Sequence, residues 1–299
     1  MALFSPPGFE PQPMDTTLGQ MVYYVPSAEP WSHWQPKGER DHRPLLIFLH
    51  SMGGGSSAYE WSKVYPAFAA DYRVIAPDLV GWGASAHPQR DYRAEDYITI
   101  ISELLVHLGD RATLVATSLT AAFAIRVAIA HPHLVQSLFL VCPSGYDDFG
   151  RSYGSGIAAQ LVATPVLDRV IYTLGAANEI AVRNFLEQFL FAQPDRITNE
   201  MVAAYTDSAQ QPNAEYAALS ALKGSLFFDL TRYLDQLTVP TAFIWGQASK
   251  FKSPEFGQRL AALNPKAVKW FEAIAHTGVL PHLECPAVVT GILRAWLNR

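Results

Sequence analysis

A hydroxyl that attacks a carbonyl carbon must stand clear of its neighbours, and Ser118 is placed to do so. It sits in Leu114-Val115-Ala116-Thr117-Ser118-Leu119-Thr120-Ala121-Ala122, where a strand-like apolar run from Ala112 to Ala116 gives way at once to a helix-like run carrying Phe123, Ile125 and Val127. A chain that turns from strand to helix within one or two residues lifts the corner side chain above the sheet in a strained conformation. The residues two before and two after the corner must be small, and here they are Ala116 and Thr120. That is the layout of a nucleophile elbow with both glycines of G-x-S-x-G replaced. A buried strand followed by a helix whose N-cap is a serine fits the same residues.

A second chemistry-bearing stretch is His50-Ser51-Met52-Gly53-Gly54-Gly55-Ser56-Ser57, directly after the apolar run Leu45 to Leu49. Glycines just past a buried strand free backbone N–H groups to face a ligand. The stretch lacks both the Gly-Lys-Ser/Thr ending and the G-x-G-x-x-G spacing of a phosphate cradle.

These stretches need a scaffold, and the pattern around them supplies one. Gln20 to Val25 alternates like a strand, Leu45 to Leu49 and Leu138 to Cys142 read as strands buried on both faces, and Tyr72 to Asp78, Thr241 to Trp245 and Val268 to Glu272 complete the set. Between them, Ala58 to Ala70 carries a helical period that Pro66 must kink or break. Tyr92 to Leu108 is an amphipathic helix stopped by Gly109, and Pro254 to Leu263 and Pro286 to Leu297 are two more. Strand and helix alternate except from Ile157 to Leu237, where helical segments at 157–173, 176–192, 197–210 and 214–223 follow one another. The expected organisation is an α/β core of residues 15–144 and 238–299, a helical cap of residues 145–237, and an extended proline-rich arm of residues 1–14.

The chain of 299 residues is 49% hydrophobic and 16% charged, so it buries a sizeable core. Its net charge of -5 gives no electrostatic reason to bind nucleic acid or an anionic membrane. Cys142 and Cys285 lie far apart and form no metal or disulfide framework, as suits small apolar residues in a reducing compartment. The N-terminus lacks the basic start and apolar core of a signal peptide, and no apolar run reaches spanning length. A cytoplasmic protein without a cofactor is expected, and composition sets no oligomeric state.

Taken together, three motifs resemble the α/β-hydrolase superfamily. Leu49-His50-Ser51-Met52-Gly53-Gly54 is similar to its H-G-x-x-G oxyanion loop with Ser51 in place of the first glycine. Pro77-Asp78-Leu79-Val80-Gly81-Trp82-Gly83-Ala84-Ser85 matches its P-D-x-x-G-x-G-x-S turn, and the elbow completes the set. The resemblance runs from about residue 20 to the C-terminus. It is to the branch with a helical cap after strand six, and Gly53 to Trp61 resembles a subgroup of cyanobacteria and plastids. It implies a mostly parallel, doubly wound sheet, with oxyanion donors in the backbone N–H groups of Met52 and Leu119.

The resemblance also implies an acid and a histidine that would activate the serine. The acid position of W-G-x-x-D is Ser249, and aligning on His282, Glu284 and Pro286 puts Val279 at the base position. His276, three residues earlier on the same loop, is the candidate stand-in for the base; the alternative is a solvent-facing loop histidine. His50 reads as structural, Glu60 as helix surface and Trp61 as core. No aspartate stands at the nucleophile position, against dehalogenase or epoxide-hydrolase chemistry. The readings that follow are a Ser118-dependent hydrolase of an apolar ester or thioester, a non-hydrolytic binder of an apolar small molecule, and, from the proline-rich arm alone, an interaction module.

Overall fold

Strands that read as unbroken apolar runs are buried along their whole length: β3 (Leu45–Leu49), β5 (Ala112–Thr117) and β7 (Thr241–Gly246). The computed structural model describes residues 4–31, 41–150 and 177–299. The remaining strands are β1 (Phe9–Thr16), β2 (Gly19–Pro26), β4 (Arg73–Asp78), β6 (Val135–Val141) and β8 (Val268–Ile274). They form one eight-stranded sheet in the order β1-β2-β4-β3-β5-β6-β7-β8. β1 to β2 and β2 to β4 pair antiparallel, and every later pair is parallel.

Three long helices pack on this sheet: α1 (Ala94–Leu108), α2 (Ser118–Ala130) and α8 (Pro286–Leu297). Gly109 ends α1 in left-handed backbone, φ 72°, as a C-cap glycine should. Between β6 and β7 lie α3 (Glu179–Phe185), continued by a wider π turn over Leu186–Leu190, then α4 (Asn199–Ala209) and α5 (Ala214–Leu222). The short helices α6 (Pro254–Ala261) and α7 (Pro281–Glu284) complete the set. The helix expected at 157–173 lies outside the described residues.

One expectation is corrected, and a second holds in its break at Pro66 but not in its helix type. Residues 9–14 are not an arm but most of the edge strand β1, with Pro11 opposite Tyr24 and Pro13 opposite Val22. A proline cannot donate to a ladder, so it survives in a strand only at such an edge, and its presence masks the strand in the sequence. The helix expected over 58–70 is two 3₁₀ turns, Ala58–Trp61 and Tyr65–Phe68, broken ahead of Pro66.

The connectivity determines where a ligand can sit. From β3 the chain goes to β4 on one side, and β5 lies on the other, so the loops leaving the carboxyl ends of β3 and β5 part from each other. Such a switch point leaves a crevice at that edge of the sheet.

Candidate active site

The corner after β5 is tight. Thr117 is the last strand residue and Ser118 the first of α2, with nothing between them. Ser118 accordingly adopts φ 55°, a left-handed conformation that costs a non-glycine residue roughly 1–3 kcal/mol. Other strained residues share this edge: Cys142 (φ 46°) and Tyr146 (φ 70°) beyond β6, and His276 (φ 56°) beyond β8. Small neighbours make the corner fit, since Ala116 and Thr120 are both fully buried.

Ser118 opens into a cavity of about 120 Å³ whose floor is Ser51 to Gly54, Ser118 and Leu119. Its walls are Phe185, Phe189 and Leu190 from α3 and the π turn, Ala218, Ala221 and Leu222 from α5, and Phe227, Phe251, Val279 and Leu280. No charged side chain lines it among the described residues. Met52 and Leu119 thus flank Ser118 on the same floor. Leu119 is in the first turn of α2, where backbone N–H groups lack intrahelical acceptors and the helix dipole favours negative charge.

The loop carrying Met52 is held from both sides by buried polar groups. His50 Nε2 accepts the Leu79 N–H at 2.9 Å, so its proton is on Nδ1, which donates to the Ser51 carbonyl at 2.6 Å. Glu60 is fully buried and accepts the Ser51 N–H and the Ser51 hydroxyl, each at 2.7 Å, and the Tyr205 hydroxyl of α4 at 2.9 Å. Burial raises the carboxyl pKa of Glu60, and the donors around it work against that rise. The expectation that Glu60 is a helix-surface residue is therefore corrected. A carboxylate accepting three donors is satisfied in the interior, and these partners lie 9 and 145 residues away. His50 is structural, as read.

The P-D-x-x-G-x-G turn is built on a second buried carboxylate. Asp78 accepts the N–H groups of Ala58 at 2.7 Å and Ala84 at 2.8 Å and the Tyr24 hydroxyl at 3.2 Å. A Cβ at Gly83 would fall 2.2 Å from that carboxyl carbon, which is why the position is glycine.

The two positions that would carry an acid and a base have other work. Ser249 closes a turn, its N–H on the Gly246 carbonyl at 3.1 Å. The Val279 side chain is cavity wall, and its N–H donates to the Leu190 carbonyl at 2.9 Å. Glu284 strengthens this docking by accepting the N–H groups of Gly278, Ala192 and Gln193. The loop beyond β8 is thus tied to the inserted helices rather than bent toward Ser118. His276 is exposed at its turn, donates no residue surface to the cavity, and offers its carbonyl to Arg196 at 2.7 Å. The structure does not bring His276 to Ser118.

Tyr146 meets the serine instead: its hydroxyl lies 2.9 Å from Ser118 Oγ. Sequence reasoning missed it, because an aromatic residue five positions past a strand carries no chemical signal of its own. Burial pushes the Tyr146 phenol up to about 12, with Cys142 and Asp148 adding to the rise and the Ser118 hydrogen bond opposing it. Burial likewise pushes the Cys142 thiol up to about 12, so it is no rival nucleophile.

His282 is buried and stacked on Trp61 with ring centroids 3.9 Å apart, and neither ring nitrogen has a partner among the described residues. Burial pushes its pKa down to about 3 from an ordinary 6.5. A histidine depressed in the folded state contributes stability above pH 6.5 that is lost as pH falls from 6.5 toward 3. Replacing it by phenylalanine keeps the stack and removes the titration. Relative to His282→Phe, the unaltered protein is expected to lose about 2 kcal/mol between pH 7 and pH 5. Urea unfolding of both proteins at the two pH values measures that difference, in which the buried acids cancel.

With sheet, elbow and oxyanion loop in place, comparison with known proteins becomes informative. Residues 46–291 match the model of the alpha/beta hydrolase family, and the chain belongs to that family. It is 24% identical over 259 residues to the 2-hydroxy-6-oxo-6-(2'-aminophenyl)hexa-2,4-dienoic acid hydrolase of Metapseudomonas resinovorans, covering 85% of this chain and 84% of that one. Among solved structures it is similar to the CarC serine hydrolase of carbazole degradation, with TM-score 0.74 and 19% identity over 97% of this chain and 99% of that one. ALR0039 from Nostoc sp PCC 7120 is similar too, with TM-score 0.73 and 22% identity over 97% and 98% of the two chains. These structural likenesses concern the fold. No helix among the described residues is long and apolar enough to cross a membrane.

Proposed function

We propose that the protein is a serine-dependent hydrolase of a neutral, apolar ester or thioester. Ser118 is the nucleophile, Met52 and Leu119 supply the oxyanion N–H groups, and residues 145–237 act as the cap over the site. The triad is non-standard, with Ser249 at the acid position and Val279 at the base position. One observation carries the reading: a strained serine opens into a cavity whose described lining is mostly apolar and carries no charged side chain. The resemblance of Gly53 to Trp61 supports placing the chain with the cyanobacterial and plastid subgroup, which stays part of this proposal.

The same observation separates the substrate from that of the similar dienoic acid hydrolase. A carboxylate buried in an apolar pocket without a cation costs several kcal/mol, and the described lining offers it none. Hexanoate esters are therefore expected to turn over at least about 50-fold faster, in kcat/KM, than adipate half-esters of the same alcohol. Equal rates on the two, measured side by side, would remove the claim of a neutral substrate.

A second reading, a non-hydrolytic binder of an apolar small molecule, is favoured by Val279. An aliphatic wall where an activating base would stand suits retention of a ligand better than its turnover. An apolar compound carried through purification, found by mass spectrometry, together with no ester turnover, would select this reading.

A further inference from the structure

Acyl transfer through a serine has two protons to place. The hydroxyl loses its own as it attacks, and the departing alkoxide gains one. Val279 can do neither. The group that stands against Ser118 is a phenol, 2.9 Å away, and both residues line the same cavity.

The contact is held by the fold around it. The Tyr146 N–H donates to Ser144 Oγ at 3.0 Å, and Ser144 Oγ donates to the Asp148 carboxylate at 2.7 Å. The same carboxylate accepts the N–H groups of Gly145 at 3.0 Å and Leu230 at 2.8 Å, which fixes the turn to the segment before β7. The Tyr146 ring stacks on Phe227, with centroids 4.9 Å apart and planes 20° from parallel. Left-handed backbone at Tyr146, φ 70°, turns the ring back over the serine corner. A bulky residue adopts that conformation only where its surroundings impose it.

We infer that Tyr146 is a catalytic residue that relays the protons of acyl transfer at Ser118, in the place a histidine would occupy; the inference rests on the hydrolase reading above. Both half-reactions balance without an ionised base. As Ser118 Oγ bonds to the ester carbonyl carbon, its proton passes to Tyr146 Oη. The proton already on Oη passes to the alkoxy oxygen as the carbon–oxygen bond breaks. The alcohol departs, leaving acyl-Ser118 and a neutral phenol. Water then takes the alcohol's place: its oxygen bonds to the acyl carbon, one of its protons passes to Oη, and the former Oη proton returns to Ser118 Oγ as the acyl bond breaks. The Met52 and Leu119 N–H groups face the carbonyl oxygen throughout. Burial keeps the phenol protonated across the neutral range, which is the state from which each half-reaction starts.

A relay matters most when the leaving group is a poor one. Ethoxide needs a proton to depart, whereas 4-nitrophenolate leaves as a stable anion. The test compares Tyr146→Phe with the unaltered protein on ethyl hexanoate and 4-nitrophenyl hexanoate, which share an acyl chain. In kcat/KM, which reports acylation and not the hydrolysis of the acyl-enzyme the two esters share, the expected result is a loss of about 10²-fold on the ethyl ester and a loss at least tenfold smaller on the nitrophenyl ester. Each pair of rates comes from one preparation, so a partly misfolded variant cannot imitate the change in their ratio. Equal losses on the two esters would overturn the relay and leave the hydrolase reading standing. Absence of turnover of either ester by the unaltered protein, or full activity in Ser118→Ala, would overturn that reading and the relay with it.

Discussion

Alanine at position 118 is expected to lower ester turnover by about 10³-fold or more and to abolish labelling by a fluorophosphonate, with the fold intact. Loss of a serine nucleophile leaves only oxyanion stabilisation and binding, a small residue of the rate. Among the described residues, the neighbouring nucleophiles are not ready to replace it. The Ser51 hydroxyl lines the same floor but is held by Glu60 at 2.7 Å and Ser56 at 2.8 Å. Cys142 is buried with its thiol pushed up to about 12. Alanine keeps the Cβ, so the left-handed strain at the corner is left as it is. Stability is therefore expected to change little, and the effect should fall on kcat. Mass spectrometry of probe-treated protein, digested to the peptide containing Ser118, checks the labelling. A fluorophosphonate adduct on Ser51 instead would reassign the nucleophile.

Glu60→Ala is expected to lower the free energy of unfolding by roughly 3–5 kcal/mol and to reduce turnover as well. The substitution leaves the Ser51 N–H, the Ser51 hydroxyl and the Tyr205 hydroxyl without the carboxylate that accepts them. Each buried donor left unpaired costs about 1–3 kcal/mol, and Ser51 recovers a part through Ser56. Turnover is expected to fall because Ser51 precedes Met52, the proposed oxyanion donor. The carboxylate also joins that loop to α4 through Tyr205, as Ser208 does by donating to the Ser56 carbonyl at 3.1 Å and accepting the Gly83 N–H at 3.1 Å. Glutamine at position 60 retains one acceptor oxygen and is expected to recover part of the loss. Denaturant midpoints for the alanine and glutamine variants test this order, and two equal midpoints would mean the contact is packing rather than hydrogen bonding.

That Ser118, Met52 and Leu119 share one sheet edge was legible in the sequence, because each follows closely on a buried strand; their catalytic roles remain part of the proposal. A buried strand running straight into a helix leaves one geometry for the corner, and backbone donors depend on chain path rather than on side-chain type. The strands themselves, apart from β1, whose prolines imitate an arm, follow from local apolar patterns, while their order in the sheet is set by the fold. The proposed acid and base positions, Ser249 and Val279, rest on counting residues along a motif. His276 shows the reach of such counting. Three residues of spacing say that it leaves the same sheet edge, but it lies exposed at a turn, its carbonyl held by Arg196, 80 residues away.

Glu60 and Tyr146 were decided by the tertiary structure alone. Nothing in the run Tyr59-Glu60-Trp61 says that a carboxylate will be enclosed, because enclosure is tolerable only once Ser51 and Tyr205 arrive to donate to it. Nor does Tyr146 declare a partner until β5 and β6 lie side by side and bring the ends of both strands together. Apolar periodicity tells which face of an element leaves water, a property of a few adjacent residues. Which polar group meets which across that interior depends on the packing of distant segments, and there the sequence of this protein specifies the outcome only through the whole fold.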